Sequence, residues 1–144
     1  MESNKSSILK SLGIDVGMKT KHMKTITDAD VVLFAGVSGD FAPVHVCEEY
    51  AKKTLFGGRI AHGMLALALI SAAVAKLPGL VVYLSQTVKF LKPIRVGDSI
   101  TAMIEVMEKD DSKGILQIKT SCINQNNETV VEGEARVKIY QQPS

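Results

Sequence analysis

The segment Met64–Leu77, MLALALISAAVAKL, restricts what this chain can fold into more than any other stretch. Its LALALISAAVA run is apolar on nearly every face of a helix, so it needs protein on all sides. At about 14 residues it would be roughly 21 Å long, short of the ~20 residues that cross a bilayer, and it therefore reads as a buried helix. Something must wrap it. With 144 residues, 46% of them hydrophobic, the chain has material for one globular domain and little for a second.

The wrapping elements follow Pro78. Leu80–Phe90, Ser99–Lys109, Ile115–Asn124 and Thr129–Tyr140 read as strands separated by KPIRVGD, DDSKG and NQNNE, which predicts an antiparallel meander. Upstream, Met18–Ile26 (MKTKHMKTI) is consistent with a strand wet on one face. Lys19, Lys21 and Lys24 would form that face, with a carrier phosphate as the other thing they could meet. Thr27 with Asp30 signals a helix N-terminus, and Val31, Val32, Phe34, Ala35 and Val37 predict a helix that Gly39 ends. Glu48–Thr54 suits a short surface helix, FGGRIAHG a Gly-rich loop, and Lys76-Leu77-Pro78-Gly79 a helix stop. Helices first and strands second predict an α+β fold, with residues 14–144 as a single domain behind a flexible N-terminus, residues 1–13.

Charge and cysteines exclude several classes. The formal net charge is +2, from 17 basic and 15 acidic residues spread along the chain, so no strong field favours nucleic acid or an anionic membrane. Cys47 and Cys122 lack CxxC spacing, which argues against a zinc site or a disulfide framework; neither metal nor cofactor is expected. Residues 1–12 lack the charged-then-apolar order of a leader, so the expected compartment is the cytoplasm. Cys47 lies near His45 but reads as a small buried residue rather than a nucleophile. GxSxG, P-loop, HExxH and strand-to-helix GxGxxG patterns are missing from the sequence.

The chemistry-bearing stretch is Ser38-Gly39-Asp40-Phe41-Ala42-Pro43-Val44-His45. On a continuous helix Asp40 and His45 would splay by about 140°. Pro43 disfavours helical geometry at Ala42, so a turn there can bring carboxylate and imidazole towards one point, where they could hold a water and move its proton. On spacing alone, an Asp that caps a turn and a His satisfied at the surface explain the pair more readily. A second piece is Ile60-Ala61-His62-Gly63-Met64, where glycine precedes the apolar helix and unpaired amides could meet a developing oxyanion. An ordinary helix entry explains it as well, and a His at that position more often packs or bonds backbone than reacts. Ser71 is the only hydroxyl in Met64–Leu77; taken as buried, it needs a partner, most simply a carbonyl one turn back.

SGDFAPVH, then FGGRIAHGM, then YLSQTVKFLKPIRVGDSI resemble, in order and over about Val16 to Ile139, the MaoC-like (R)-specific enoyl-CoA hydratases and (R)-3-hydroxyacyl dehydratases. The resemblance implies a hot-dog fold, an antiparallel sheet wrapped around one long buried helix, and a homodimer or higher homo-oligomer. It implies reversible syn hydration of trans-2-enoyl thioesters of coenzyme A or acyl carrier protein, with Asp40 as base and His45 as its partner. It further implies the Gly63 amide as oxyanion donor with His62 beside it at the substrate, and Ser71 as a supporting serine. Two positions depart from the family pattern: Ala42 stands where Asn is usual and Cys47 where Asp is frequent. A hot-dog thioesterase and a non-catalytic acyl-thioester-binding module are the alternatives, and retention of Asp40, His45 and HGM speaks against both.

Overall fold

The computed structural model describes residues 7–144. Its elements, in chain order, are α1 (Ile8–Ser11), β1 (Lys19–Thr25), α2 (Asp28–Ser38), α3 (Pro43–Val46), α4 (Glu48–Ala51), α5 (Met64–Val74), β2 (Leu80–Phe90), β3 (Ser99–Asp110), β4 (Ile115–Ile123) and β5 (Thr129–Tyr140). The strands form one antiparallel sheet in the order β1-β3-β4-β5-β2.

Strand alternation sets the layers. Ile100, Ala102, Ile104 and Val106 of β3 are buried, as are Leu116, Ile118 and Cys122 of β4 and Val131, Ala135, Val137 and Ile139 of β5, and these form one apolar face. Residues of the opposite parity face outward. There Lys19, Glu105, Lys119 and Glu134 stand in register across four strands with alternating sign. Lys19 therefore belongs to a solvated face, and Lys24 is paired with Asp30 at 2.9 Å. The helix α5 lies on the inner face against β1, β3 and β4, burying Ala66, Leu69, Ile70, Ala73 and Val74. Full burial of a side chain such as Ile70 contributes about 1.5–3 kcal/mol. A sheet curled on one central helix is the hot-dog arrangement.

Three expectations are corrected here. First, only β3, β4 and β5 form a meander; β2 pairs with β5 at the far edge. Its exit, Leu91–Asp98, contains Pro93 and the buried Ile94 and bridges Ile60 to Arg95. That segment is a packed crossover, too apolar for a hairpin turn. Second, α5 is shorter than its apolar segment, stopping at Val74, and it is not wrapped on all sides: Met64 is 52% exposed, and Ala68, Ser71 and Ala75 continue the same stripe. Third, within the expected loose start, residues 1–6 lie outside the described residues. Ile8–Ser11 instead form α1, whose Leu9 is fully buried in the core with Ile14 behind it.

Candidate active site

Local signals in α2 deliver Asp40. Thr27 Oγ1 accepts from the Asp30 N–H at 3.2 Å while the Asp30 carboxylate accepts from the Thr27 N–H at 2.9 Å, a reciprocal cap that fixes the helix start. At the other end Gly39 adopts φ 83° and donates to the Ala35 carbonyl at 2.8 Å. This left-handed exit suits glycine and turns the chain sharply towards the loop. Ser38 Oγ then accepts from the Asp40 N–H at 3.1 Å, and Asp40 Oδ1 accepts from the Ala42 N–H at 3.1 Å. The bond at Ala42 is made by backbone, so orientation of the carboxylate does not depend on an amide side chain at that position. Pro43 opens α3 as its first residue, the position where its missing N–H costs nothing.

The loop before α5 holds His45. Its Nδ1–H donates to the Ile60 carbonyl at 2.7 Å, which leaves Nε2 as an acceptor. That nitrogen stands 3.9 Å from Asp40 Oδ2. Arg59 donates from Nε to the His45 carbonyl at 2.7 Å and pairs with Asp28 at 2.6 Å, tying the loop to both α3 and α2. Ile60 N–H donates to the Val44 carbonyl at 3.2 Å and Ala61 N–H to the Ile94 carbonyl at 2.7 Å. His45 is mostly buried, whereas Asp40 is 51% exposed.

An apolar cleft of about 490 Å³ opens beside the pair, lined among others by His45, Gly63, Phe56, Met64, Phe90 and Leu91. Its size and apolar walls suit a small acyl chain. Asp40 is not part of the wall. Gly63 adopts helical angles at the head of α5, and its N–H has no partner among the described residues. A Cβ there would stand 2.8 Å from the Phe90 ring, so glycine lets the ring close over the helix entry. An unpaired amide at the positive end of a helix is a donor suited to negative charge.

The structure brings Asp40 to 3.9 Å from His45, beside a cleft that His45 and Gly63 line, and places the other expected residues elsewhere. His62 does not line the cleft: it is 2% exposed, behind His45, with ring centroids 3.9 Å apart and 29° between planes. Being held between the His45 ring and Phe34, 4.7 Å away, keeps it from the cleft surface. Ser71 is exposed rather than buried, on the uncovered stripe of α5, and its hydroxyl has no hydrogen-bond partner among the described residues. Cys47 is also exposed, between α3 and α4. The thiol of Cys122 is buried beneath α5, where loss of hydration pushes its pKa up to about 12, so it is unreactive. Ile60 and Arg59 carry positioning bonds that residue type did not signal; a lone arginine within FGGRIAHG was the available clue.

Asp40, His45 and His62 each offer a ligand atom within 4.8 Å of the others. The two imidazoles stack with 29° between their ring planes, and each already uses one ring nitrogen to donate to a backbone carbonyl.

The model for the family described as MaoC like domain matches residues 12–128 of the chain. An (R)-specific enoyl-CoA hydratase of Rhodospirillum rubrum is 41% identical over 128 residues, covering 88% of either chain. A 3-hydroxybutyryl-CoA dehydratase of Methylorubrum extorquens is 40% identical over 128 residues, 88% of this chain and 81% of that one. Among solved structures, an unliganded R-hydratase of Pseudomonas aeruginosa superposes with a TM-score of 0.84 at 42% identity, covering 90% of this chain and 84% of the other.

Proposed function

Since the chain belongs to the MaoC-like domain family, we propose that it is a hydro-lyase that adds water reversibly to trans-2-enoyl thioesters of coenzyme A or acyl carrier protein, giving (R)-3-hydroxyacyl thioesters. The observation that carries this reading is the 3.9 Å gap between Asp40 Oδ2 and His45 Nε2. Both atoms are acceptors. A water about 2.8 Å from each spans the gap and donates one O–H to either side. Its lone pair is then free to attack.

As the water oxygen bonds to C3, one of its O–H bonds breaks and Asp40 takes the proton, with His45 as its partner in transfer. The π electrons of C2=C3 move towards the thioester carbonyl, whose oxygen gains charge, and the Gly63 N–H donates to it. A proton passes from the pair to C2 on the same face, which makes the addition syn. Preorganised donors of this kind are worth about 2.7–4 kcal/mol each in related oxyanion sites. The Phe56, Met64 and Phe90 side chains would hold the acyl group.

The assay is loss of enoyl absorbance when crotonyl-CoA, or the crotonyl carrier-protein thioester, is added to purified protein. Product retained as the thioester and of R configuration is the expected result. Release of free thiol from a saturated acyl-CoA, with no hydration, would replace this reading by a thioesterase.

The unit is a homodimer joined along β2. Of the two free sheet edges, β1 carries Lys19, Lys21 and Lys24, a guard against pairing, whereas β2 exposes Leu80, Val82, Tyr83 and Leu84. The uncovered stripe of α5 supports the same conclusion, and Ser71 on it would take up its supporting role only beside a second chain. Light scattering should give twice the 15.5 kDa of one chain, and Leu84→Lys should shift the protein towards the monomer. A wild-type monomer at assay concentration would overturn it.

A further inference from the structure

The catalytic pair is backed by a side chain that never reaches the cleft. His62 lies between Phe34 and His45, its centroid 3.9 Å from the His45 ring and 4.7 Å from Phe34. Its Nε2–H donates to the backbone carbonyl of Asp40 at 2.9 Å. Its Nδ1 is buried and has no hydrogen-bond partner among the described residues. An unpartnered buried acceptor works against stability, and a plain packing residue would avoid it. The ring therefore serves something that phenylalanine or leucine would not.

We propose that His62 is a positioning residue: as a neutral Nε2–H imidazole it sets the ring plane of His45 by stacking and the backbone of Asp40 by its hydrogen bond. The proposal rests on Asp40 and His45 being the reacting pair. One rigid side chain thus touches both halves of the constellation. His45 is otherwise held only at Nδ1, about which its ring could swing, and Asp40 is half exposed on a loop. Stacking closes the swing. The bond to the Asp40 carbonyl fixes where the carboxylate begins. Small misplacements of reacting groups cost rate steeply, up to about a hundredfold for an ångström.

Two substitutions separate the two contacts. His62→Phe keeps the stacked ring and loses the bond to Asp40; His62→Asn keeps an N–H donor and loses the stack. Each should lower kcat by about ten- to a hundredfold while leaving KM within a factor of about three, because His62 forms no part of the cleft wall. Combined with His45→Gln, His62→Phe should cost little further activity, since it acts through the group already removed. A rise in KM at unchanged kcat would make His62 a substrate contact, and multiplying losses in the double variant would give it an independent role; either overturns the proposal. Circular dichroism controls for folding. On the unaltered protein, imidazole 15N shifts should show His62 protonated at Nε2 alone, and an Nδ1–H tautomer would overturn the proposal whatever the variants do. The two readings fail separately: active His45→Gln sinks the pair, whereas inactive His45→Gln beside fully active His62→Phe and His62→Asn sinks only the role of His62.

Discussion

Asp40→Asn and His45→Gln should each abolish most hydration of a short trans-2-enoyl-CoA while leaving the fold intact. Each change keeps approximate shape and hydrogen-bonding ability but removes a side chain that, in the proposed mechanism, takes up or passes on the proton. A general acid or base contributes about a hundred- to ten-thousand-fold, or roughly 3–5 kcal/mol of barrier. The folded state should tolerate both changes. Asparagine can still accept from the Ala42 N–H, and the amide that His45→Gln introduces can still donate to the Ile60 carbonyl, the one partner of the imidazole it replaces. The double variant should lose less than the product of the single losses, since both groups serve one water. Ser71→Ala should lose less than either, because that hydroxyl meets no reacting group. The measurement is kcat/KM for each variant with circular dichroism alongside. Near wild-type hydration by a folded single variant would remove that residue from the mechanism.

Gly133→Ala should be the most damaging single methyl in the protein. Gly133 lies in β5 opposite Val88 of β2 and Thr120 of β4, and a Cβ there would stand 1.9 Å from the Thr87 carbonyl oxygen. The obstacle is backbone within a ladder, which no rotamer change relieves. We expect a loss of about 3 kcal/mol or more in urea unfolding, together with loss of the proposed dimer, because the displaced strand is its proposed pairing edge. Gly36→Ala in the helix α2 is the contrasting control. Nothing lies within 4 Å of its Cβ position, so it should gain about 0.5–1 kcal/mol. A Gly133→Ala protein of normal stability would mean that β2 and β5 do not approach as closely as described.

Much of the architecture was written locally. The strands β2 and β5 begin and end where alternation and turn residues placed them, and the Thr27/Asp30 cap marks the start of α2 as read. Strand order was not written locally, because pairing of β2 with β5 depends on how the Leu91–Asp98 crossover packs, and residue type carries no address. The helix α3 escaped notice for a related reason: four residues with proline at the first position give no periodicity. At the site, D-x4-H spacing could not show convergence. That follows from Gly39 adopting a left-handed angle and Ala42 an extended one, at ψ 133°, together with the Ile60 carbonyl. The burial of His62 and the exposure of Ser71 were not legible, because what covers a residue is set by the packing of distant segments, which composition does not state.

The groups assigned to the chemistry all lie between positions 40 and 63, and they are bound to one another: His45 to Ile60, His62 to Asp40, Arg59 to His45. Half of the cleft's lining comes from elsewhere, from Phe90 to Ile94 and from Val131. That half of the lining is carried on a different stretch of chain from the proposed reacting groups. Side chains at the exit of β2 and the start of β5 can therefore alter which acyl tail is admitted, while the backbone of that exit stays bonded to the loop of the proposed reacting pair through Ala61 and Ile94. Diversification of substrate range within this architecture should accordingly accumulate in the side chains of the wall, where a change of volume leaves these backbone bonds in place.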